Sequence, residues 1–241
     1  MHSPLAQFVI KPIIPLNIAG IDVSFTNSSL FMVLTLCLAS LLMLVPMLRA
    51  RLVPGRIQNI SEMLYEFVHG VVYDVIGTDG MKYLPLVFTL FISILLGNLL
   101  GLMPYAFTFT SHIIVTAALG LLVISIVTIM GFVNHGFHFL SLFAPAGLPK
   151  LMYIILIPIE IISFLSRPIT LAMRLCANMM AGHTVLKVFA LFSVMVGGAL
   201  GILPALFNTL TVALELLVAG LQAYIFTVLT CIYIKDAVEL H

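Results

Sequence analysis

Five charged side chains lie inside the two longest apolar stretches of this sequence, at 150–200 and 203–237. A charge at the centre of a bilayer costs roughly 2.5–3.5 kcal/mol on insertion scales, so function is the default interpretation of such residues. The alternative is that they reach the membrane surface or form internal ion pairs, and it has most weight for Arg167 and Lys187. The five residues are Glu160, Arg167, Arg174, Lys187 and Glu215.

The polar residues of the first stretch follow helical spacing. Glu160, Arg167 and Arg174 are seven residues apart, which is two turns of a helix, so they lie close to one face. Asn178 follows Arg174 by about one turn on nearly that face, whereas His183 lies about half a rotation away. The spacing predicts a polar stripe along an otherwise apolar helix.

The second stretch repeats this spacing with Asn208, Glu215 and Gln222. Two facing polar stripes with one deep arginine indicate a hydrated path for an ion rather than a packed core.

The residue types favour a proton as that ion. His183 and Glu215 can both take up and release protons, whereas the Arg174 guanidinium cannot lose its proton in a protein. A fixed positive charge favours the ionised form of a nearby carboxyl group and blocks direct passage of protons. Because no mobile acid is evident in this chain, we expect a partner subunit to supply it.

The two stretches also predict a register. With a turn at the intervening glycines, His183 lies 13 residues before the turn and Glu215 lies 12 residues after it, so an antiparallel hairpin brings them to one level. Asn178 and Gln222 share the next level by the same count, and Arg174 lies one turn deeper. The predicted order is a titratable pair, then two amides, then the fixed charge.

Composition places these helices in a membrane. The chain has 241 residues, of which 62% are hydrophobic and 8% are charged. Soluble domains are roughly 45–50% apolar and about 25% charged, so a water-soluble enzyme and a disordered chain are both excluded. A net charge of +1 gives no basis for nucleic-acid binding.

Apolar runs and periodicity predict an all-α integral membrane protein that forms one membrane domain over residues 1–241. An amphipathic segment at 54–77 is too polar to span and is predicted to lie on the membrane surface. The last two membrane segments are too long to stand upright in a hydrocarbon core of about 30 Å, so a break or a strong tilt is expected, with Pro158, Pro168 and Gly182 as candidate bend points. The five membrane segments are 30–48, 83–103, 113–133, 150–200 and 203–237, with residues 1–27 before them.

Shorter motifs add local expectations. Gly97 and Gly101 form a small-residue pair that allows another helix to approach closely. His135 and His138 have a spacing that can bind zinc, but thiolates and carboxylates are missing nearby, so no metal site is predicted. The Lys/Arg bias of the connecting segments places the C-terminus on the cytoplasmic side, or on the matrix side in a mitochondrion.

Three segments resemble the signature of subunit a of F-type ATP synthases. They are RP at 167–168 followed by LAMRLCANMMAGH at 171–183, then GNLLGLMPY at 97–105, and E-x6-QAYIF starting at Glu215. The resemblance implies an essential arginine, Arg174, that faces the carboxylates of a ring of c subunits. It also implies two offset aqueous half-channels. Asn178, His183, Glu215 and Gln222 would belong to one of them, and Glu160 would lie near the other.

The resemblance further implies a strongly tilted hairpin of the last two helices, and partners that include the c ring, the peripheral-stalk subunit b and other synthase subunits. Asn208, Arg167 and Lys187 are secondary site candidates. The chain lacks a phosphate-binding loop of the G-x-x-x-x-G-K-[ST] type, so we expect no enzyme activity by itself and no cofactor. The expected location is a bacterial inner membrane of α-proteobacterial type, or a mitochondrial inner membrane.

Other classes of membrane protein fit these residues less well. A stand-alone proton channel or a proton-coupled secondary transporter would usually show internal repeats, and none is visible. A purely structural anchor would not need five intramembrane charges, and no spaced histidine pair offers haem ligation to a respiratory subunit.

Overall fold

Helices make up almost all of the described chain in this computed structural model. The structure describes residues 9–15, 17–18, 21–22, 24–48, 51–103, 106–136, 139 and 150–238. Near the N-terminus, four strands of two or three residues form two antiparallel pairs: β1 (Pro12–Ile14) with β4 (Phe25–Thr26), and β2 (Asn17–Ile18) with β3 (Ile21–Asp22). The sequence did not predict these strands.

Six α-helices follow in the described chain, and five helical segments are long and apolar enough to cross a membrane. The expected all-α membrane fold is therefore confirmed. The helices are α1 (Asn27–Leu48), α2 (Arg56–Ile76), α3 (Leu84–Gly101), α4 (Ile113–His135), α5 (Lys150–Val196) and α6 (Ile202–Val238). Short 3₁₀ turns lie at Thr78–Tyr83, Phe109–Ser111 and Ala199–Gly201.

The amphipathic helix α2 forms where it was predicted, but only part of its apolar face packs on the protein. Val68, Val72 and Ile76 are buried against the helical core, whereas Ile57 and Ile60 are exposed. A helix at a membrane surface can present apolar side chains to lipid as well as to protein, so the apolar face is wider than the packed face.

Helix α5 is one continuous element of 47 residues, with Pro158 and Pro168 inside it. Neither proline ends the helix, because neighbouring helices can compensate for the lost hydrogen bond in an apolar environment. At Pro168, α4 approaches closely: a Cβ atom on Gly120 would lie 3.0 Å from the Pro168 carbonyl oxygen. A helix of about 70 Å must incline strongly to remain within a core of about 30 Å.

The helical core lies between α2, α3, α4, α5 and α6. Its most enclosed side chains include Val68, Val87, Leu175, Phe226 and Ile234, all fully buried. The C-terminal end of α6 is held by His135, whose Nε2 lies 3.0 Å from the Val238 carbonyl oxygen. His138, the other histidine of the zinc-type spacing, lies outside the described residues.

Candidate functional site

Helices α5 and α6 form the predicted antiparallel hairpin. Its turn contains Gly197 and Gly198, whose φ angles of +60° and +54° are conformations that favour glycine. Ser193 closes the turn by donating a hydrogen bond of 2.8 Å to the Gly201 carbonyl oxygen. This turn fixes which residues of the two helices face each other.

Glu215 lies inside the hairpin, with only 3% of its surface exposed. Its carboxyl group packs against Gly182, where an added Cβ atom would lie 2.7 Å from the Glu215 Cδ atom. Neither carboxyl oxygen has a hydrogen-bond partner among the described residues. Burying an unpaired carboxyl group costs free energy, which is typical of a group kept for its chemistry rather than for packing.

The next level contains a direct contact between two amides. The Asn178 Nδ2 atom donates a hydrogen bond of 3.3 Å to the Gln222 Oε1 atom. Gln222 is almost completely buried, and its Nε2 atom has no partner in the described part of the chain. Asn178 and Gln222 therefore meet at the predicted level, whereas at the next level Glu215 contacts Gly182, the residue before His183.

The ring of His183 makes a contact that the register argument did not predict. Its Nε2 atom lies 3.0 Å from the Oγ1 atom of Thr108, which belongs to the segment between α3 and α4. Consecutive helical residues differ by about 100° in direction, so Gly182 can face Glu215 while His183 faces another element. His183 and Glu215 thus share a level but approach different sides of α5.

A second polar residue missed as a site candidate is Asn98 on α3. It is fully buried, and its Nδ2 atom lies 3.4 Å from the Ala219 carbonyl oxygen on α6. The available signal was the asparagine itself, since a lone amide inside an apolar membrane segment is costly unless it bonds to a neighbour. Asn98 brings α3 into contact with the Glu215–Gln222 stretch.

Arg174 differs from the buried polar residues because its side chain is exposed. Within the described part of the chain it forms no ion pair. The apolar side chains of Ile169, Met173 and Met180 on the same helix are also exposed. Arg174 therefore lies among apolar side chains that the described part of the chain does not cover.

The remaining candidates are dispersed along the hairpin. Arg167 pairs with Asp236 on α6 at 3.1 Å and lies over the Tyr233 ring, which agrees with its interpretation as an ion-pair residue. Lys187 is exposed, and Glu160 is partly buried. Asn208 is also partly buried, with an Oδ1 atom that has no partner among the described residues.

Comparison with known proteins gives consistent matches over the full length. Residues 29–235 match the family model described as "ATP synthase A chain". The chain is 52% identical to an ATP synthase subunit a of Rhodospirillum rubrum over 241 residues, which is the whole of both chains. It is 54% identical to that of Mesorhizobium japonicum, with 98% of this chain and 96% of that protein covered. An ATP synthase subunit a of Paramagnetospirillum magneticum is 47% identical, with both chains fully covered.

Proposed function

This chain belongs to the ATP synthase A chain family and is a membrane-sector subunit of an F-type ATP synthase, and on that premise we propose that it conducts protons to a rotating ring of c subunits. The proposal rests on one observation. Inside the hairpin, the buried Glu215 carboxyl group and the Asn178–Gln222 amide pair occupy successive levels that lead toward Arg174.

The buried groups have the chemistry of a proton entry path. Glu215 and His183 can exchange protons, and the neutral amides of Asn178 and Gln222 can orient water between them and Arg174. The unpartnered carboxyl oxygens of Glu215 and the Gln222 Nε2 atom supply hydrogen-bonding capacity along this line. These four residues form one half-channel in our proposal.

Arg174 is the fixed charge at the end of that half-channel. Its exposed position among exposed apolar side chains supports a contact with the ring, where a protonated carboxyl group from a c subunit arrives. The guanidinium favours the ionised carboxylate, so the proton leaves, and it prevents protons from crossing directly between the half-channels. Since Arg174 carries no ion pair within the described residues, its charge is available to an external carboxylate.

Glu160 belongs to the second half-channel in this proposal. It lies 14 residues before Arg174 on the same helix, or about 21 Å along the axis, in the direction opposite to Gln222 and Glu215. Offset half-channels on the two sides of Arg174 force a proton to travel on the rotating ring. The peripheral-stalk subunit b holds this chain stationary, and the location is a bacterial inner membrane crossed five times.

Substitutions of Arg174 test the proposal in vesicles that carry the whole complex. We expect Arg174→Ala to abolish proton-driven ATP synthesis and to open a passive proton leak. Arg174→Lys should also fail, because an ammonium group can lose its proton and lacks the planar guanidinium fork. Glu215→Gln should slow proton flow severely without a leak, since Arg174 still separates the half-channels.

Arg167→Lys is the matched control. Arg167 lies two turns before Arg174 on α5, and a lysine there keeps a cation beside Asp236 of α6. It should support normal synthesis once the amount of assembled complex is equalised. Normal ATP synthesis by the Arg174→Lys variant would overturn the assignment of the essential arginine.

A further inference from the structure

The segment between α3 and α4 folds back into the protein and reaches the proposed proton path. Thr108, Thr110 and Ser111 are all at least 95% buried. A Cβ atom added at Gly97 would lie 2.6 Å from the Phe109 ring. One added at Gly101 would lie 2.7 Å from the Thr108 Cγ2 atom. The small-residue pair of α3 therefore admits this segment, rather than the neighbouring helix that the sequence predicted.

Contacts with α5 hold the segment from its other side. The Cys176 thiol donates a hydrogen bond of 2.8 Å to the Ser111 carbonyl oxygen. Ser111 in turn donates through its hydroxyl to the Thr108 carbonyl oxygen at 2.7 Å. The Thr108 backbone is thus fixed between α3 and α5, with its hydroxyl directed at His183.

The Thr108 hydroxyl lies within hydrogen-bond distance of two groups, the Gly101 carbonyl oxygen and the His183 ring. A threonine hydroxyl has a single hydrogen to donate, and Thr108 donates it to the Gly101 carbonyl oxygen at 3.2 Å. The same oxygen lies 3.0 Å from His183 Nε2, a contact whose donor depends on the His183 tautomer. While Thr108 donates to Gly101, its oxygen can only accept from Nε2, which leaves Nδ1 as the nitrogen that can gain and lose a proton.

From this geometry we propose that Thr108 is a positioning residue for proton transfer, which holds His183 as the Nε2–H tautomer so that Nδ1 exchanges protons with the path toward Glu215. This inference rests on the proposed function, in which His183 lies on the entry half-channel. Lys187, one turn further along α5, is the nearest cation to His183 along the chain, and the Glu215 carboxyl group lies against the neighbouring Gly182.

Activity of the whole complex gives the first test. Thr108→Val keeps the shape of the side chain but removes the acceptor, and loss of one hydrogen bond should slow ATP-driven proton pumping by about three- to tenfold. Thr108→Ser, which restores the hydroxyl, should recover more than half of the rate. Thr110→Val is the matched control, since Thr110 is fully buried in the same segment but its Oγ1 atom has no partner among the described residues.

Solid-state nitrogen NMR of the complex labelled with ¹⁵N-histidine gives the second test. The spectrum distinguishes the two neutral tautomers, and His183→Gln identifies the His183 signals. We expect the Nε2–H form in the unmodified protein and a mixture of tautomers in Thr108→Val. A spectrum of the unmodified protein dominated by the Nδ1–H form would overturn the proposal even if Thr108→Val did not assemble.

The two hypotheses fail in different ways. Normal pumping by His183→Ala would remove His183 from the path and contradict that part of the proposed function. If His183→Ala is inactive but Thr108→Val pumps as well as Thr110→Val, the path survives and only the role of Thr108 is wrong.

Discussion

Replacing Gly182 by alanine tests whether the close approach of α5 to Glu215 matters for proton flow. The added Cβ atom would lie 2.7 Å from Glu215 Cδ and 2.8 Å from its Cγ. Glu215 Oε1 would be closer still. Carbon atoms in favourable contact are about 3.5 Å apart, so the Glu215 side chain or the whole of α6 must retreat by at least about 0.8 Å.

The effect on stability should be small, whereas the effect on transport should be large. Overpacking costs about 1–3 kcal/mol, and the gain in helix propensity from glycine to alanine offsets about 1 kcal/mol. A misplacement of about 1 Å in a reacting group can cost up to 100-fold in rate. We therefore expect the Gly182→Ala complex to assemble but to pump protons about ten- to a hundredfold more slowly.

Gly220→Ala on α6 is the matched control, because nothing lies within 4 Å of the Cβ atom it would add. ATP-driven acidification of vesicles, normalised to the amount of assembled complex, measures both variants. A double variant with Glu215→Asp should pump faster than Gly182→Ala alone, since the shorter side chain withdraws the carboxyl group by about 1.5 Å, one carbon–carbon bond. Equal pumping by the Gly182→Ala and Gly220→Ala complexes would refute the reasoning.

Two further predictions concern the ends of the hairpin and its orientation. Asp236→Asn should lower the free energy of unfolding by at most about 1 kcal/mol, because the Arg167–Asp236 pair is partly exposed. Proton pumping should be retained, and a large loss of thermal stability would contradict this prediction. Cysteines introduced in place of Arg51 and Lys235 should react with an impermeant thiol reagent from the same side of the membrane, and labelling from opposite sides would exclude five crossings.

The sequence predicted those parts of the fold that depend on local patterns. Each long helix follows from an apolar run, and the level shared by Asn178 and Gln222 follows from counting residues on either side of a glycine-rich turn. In contrast, whether Pro158 or Pro168 breaks α5 depends on the helices packed around it, so the sequence left that question open.

The contact between Thr108 and His183 joins residues that are 75 positions apart, and no periodicity predicts it. Gly97 and Gly101 did indicate a close approach on α3, but a small residue shows only that space is available, not which element fills it. A short irregular segment with buried hydroxyl groups fills that space here. This is why the sequence predicted the contacts between the two long helices but not the contact that a loop makes with His183.

The positions of the polar groups explain why this subunit would need a partner. Along the hairpin, Glu215 and Gln222 face inward and are buried, so they can form hydrogen bonds only with groups and water held within the protein. Arg174 lies about two turns from Gly182 along α5, yet its side chain is exposed, and no carboxylate of the described chain neutralises it. An unpaired guanidinium in contact with lipid would be costly, and an external carboxylate would remove that cost. In the proposed function, the path between α5 and α6 therefore ends on a surface that another subunit completes.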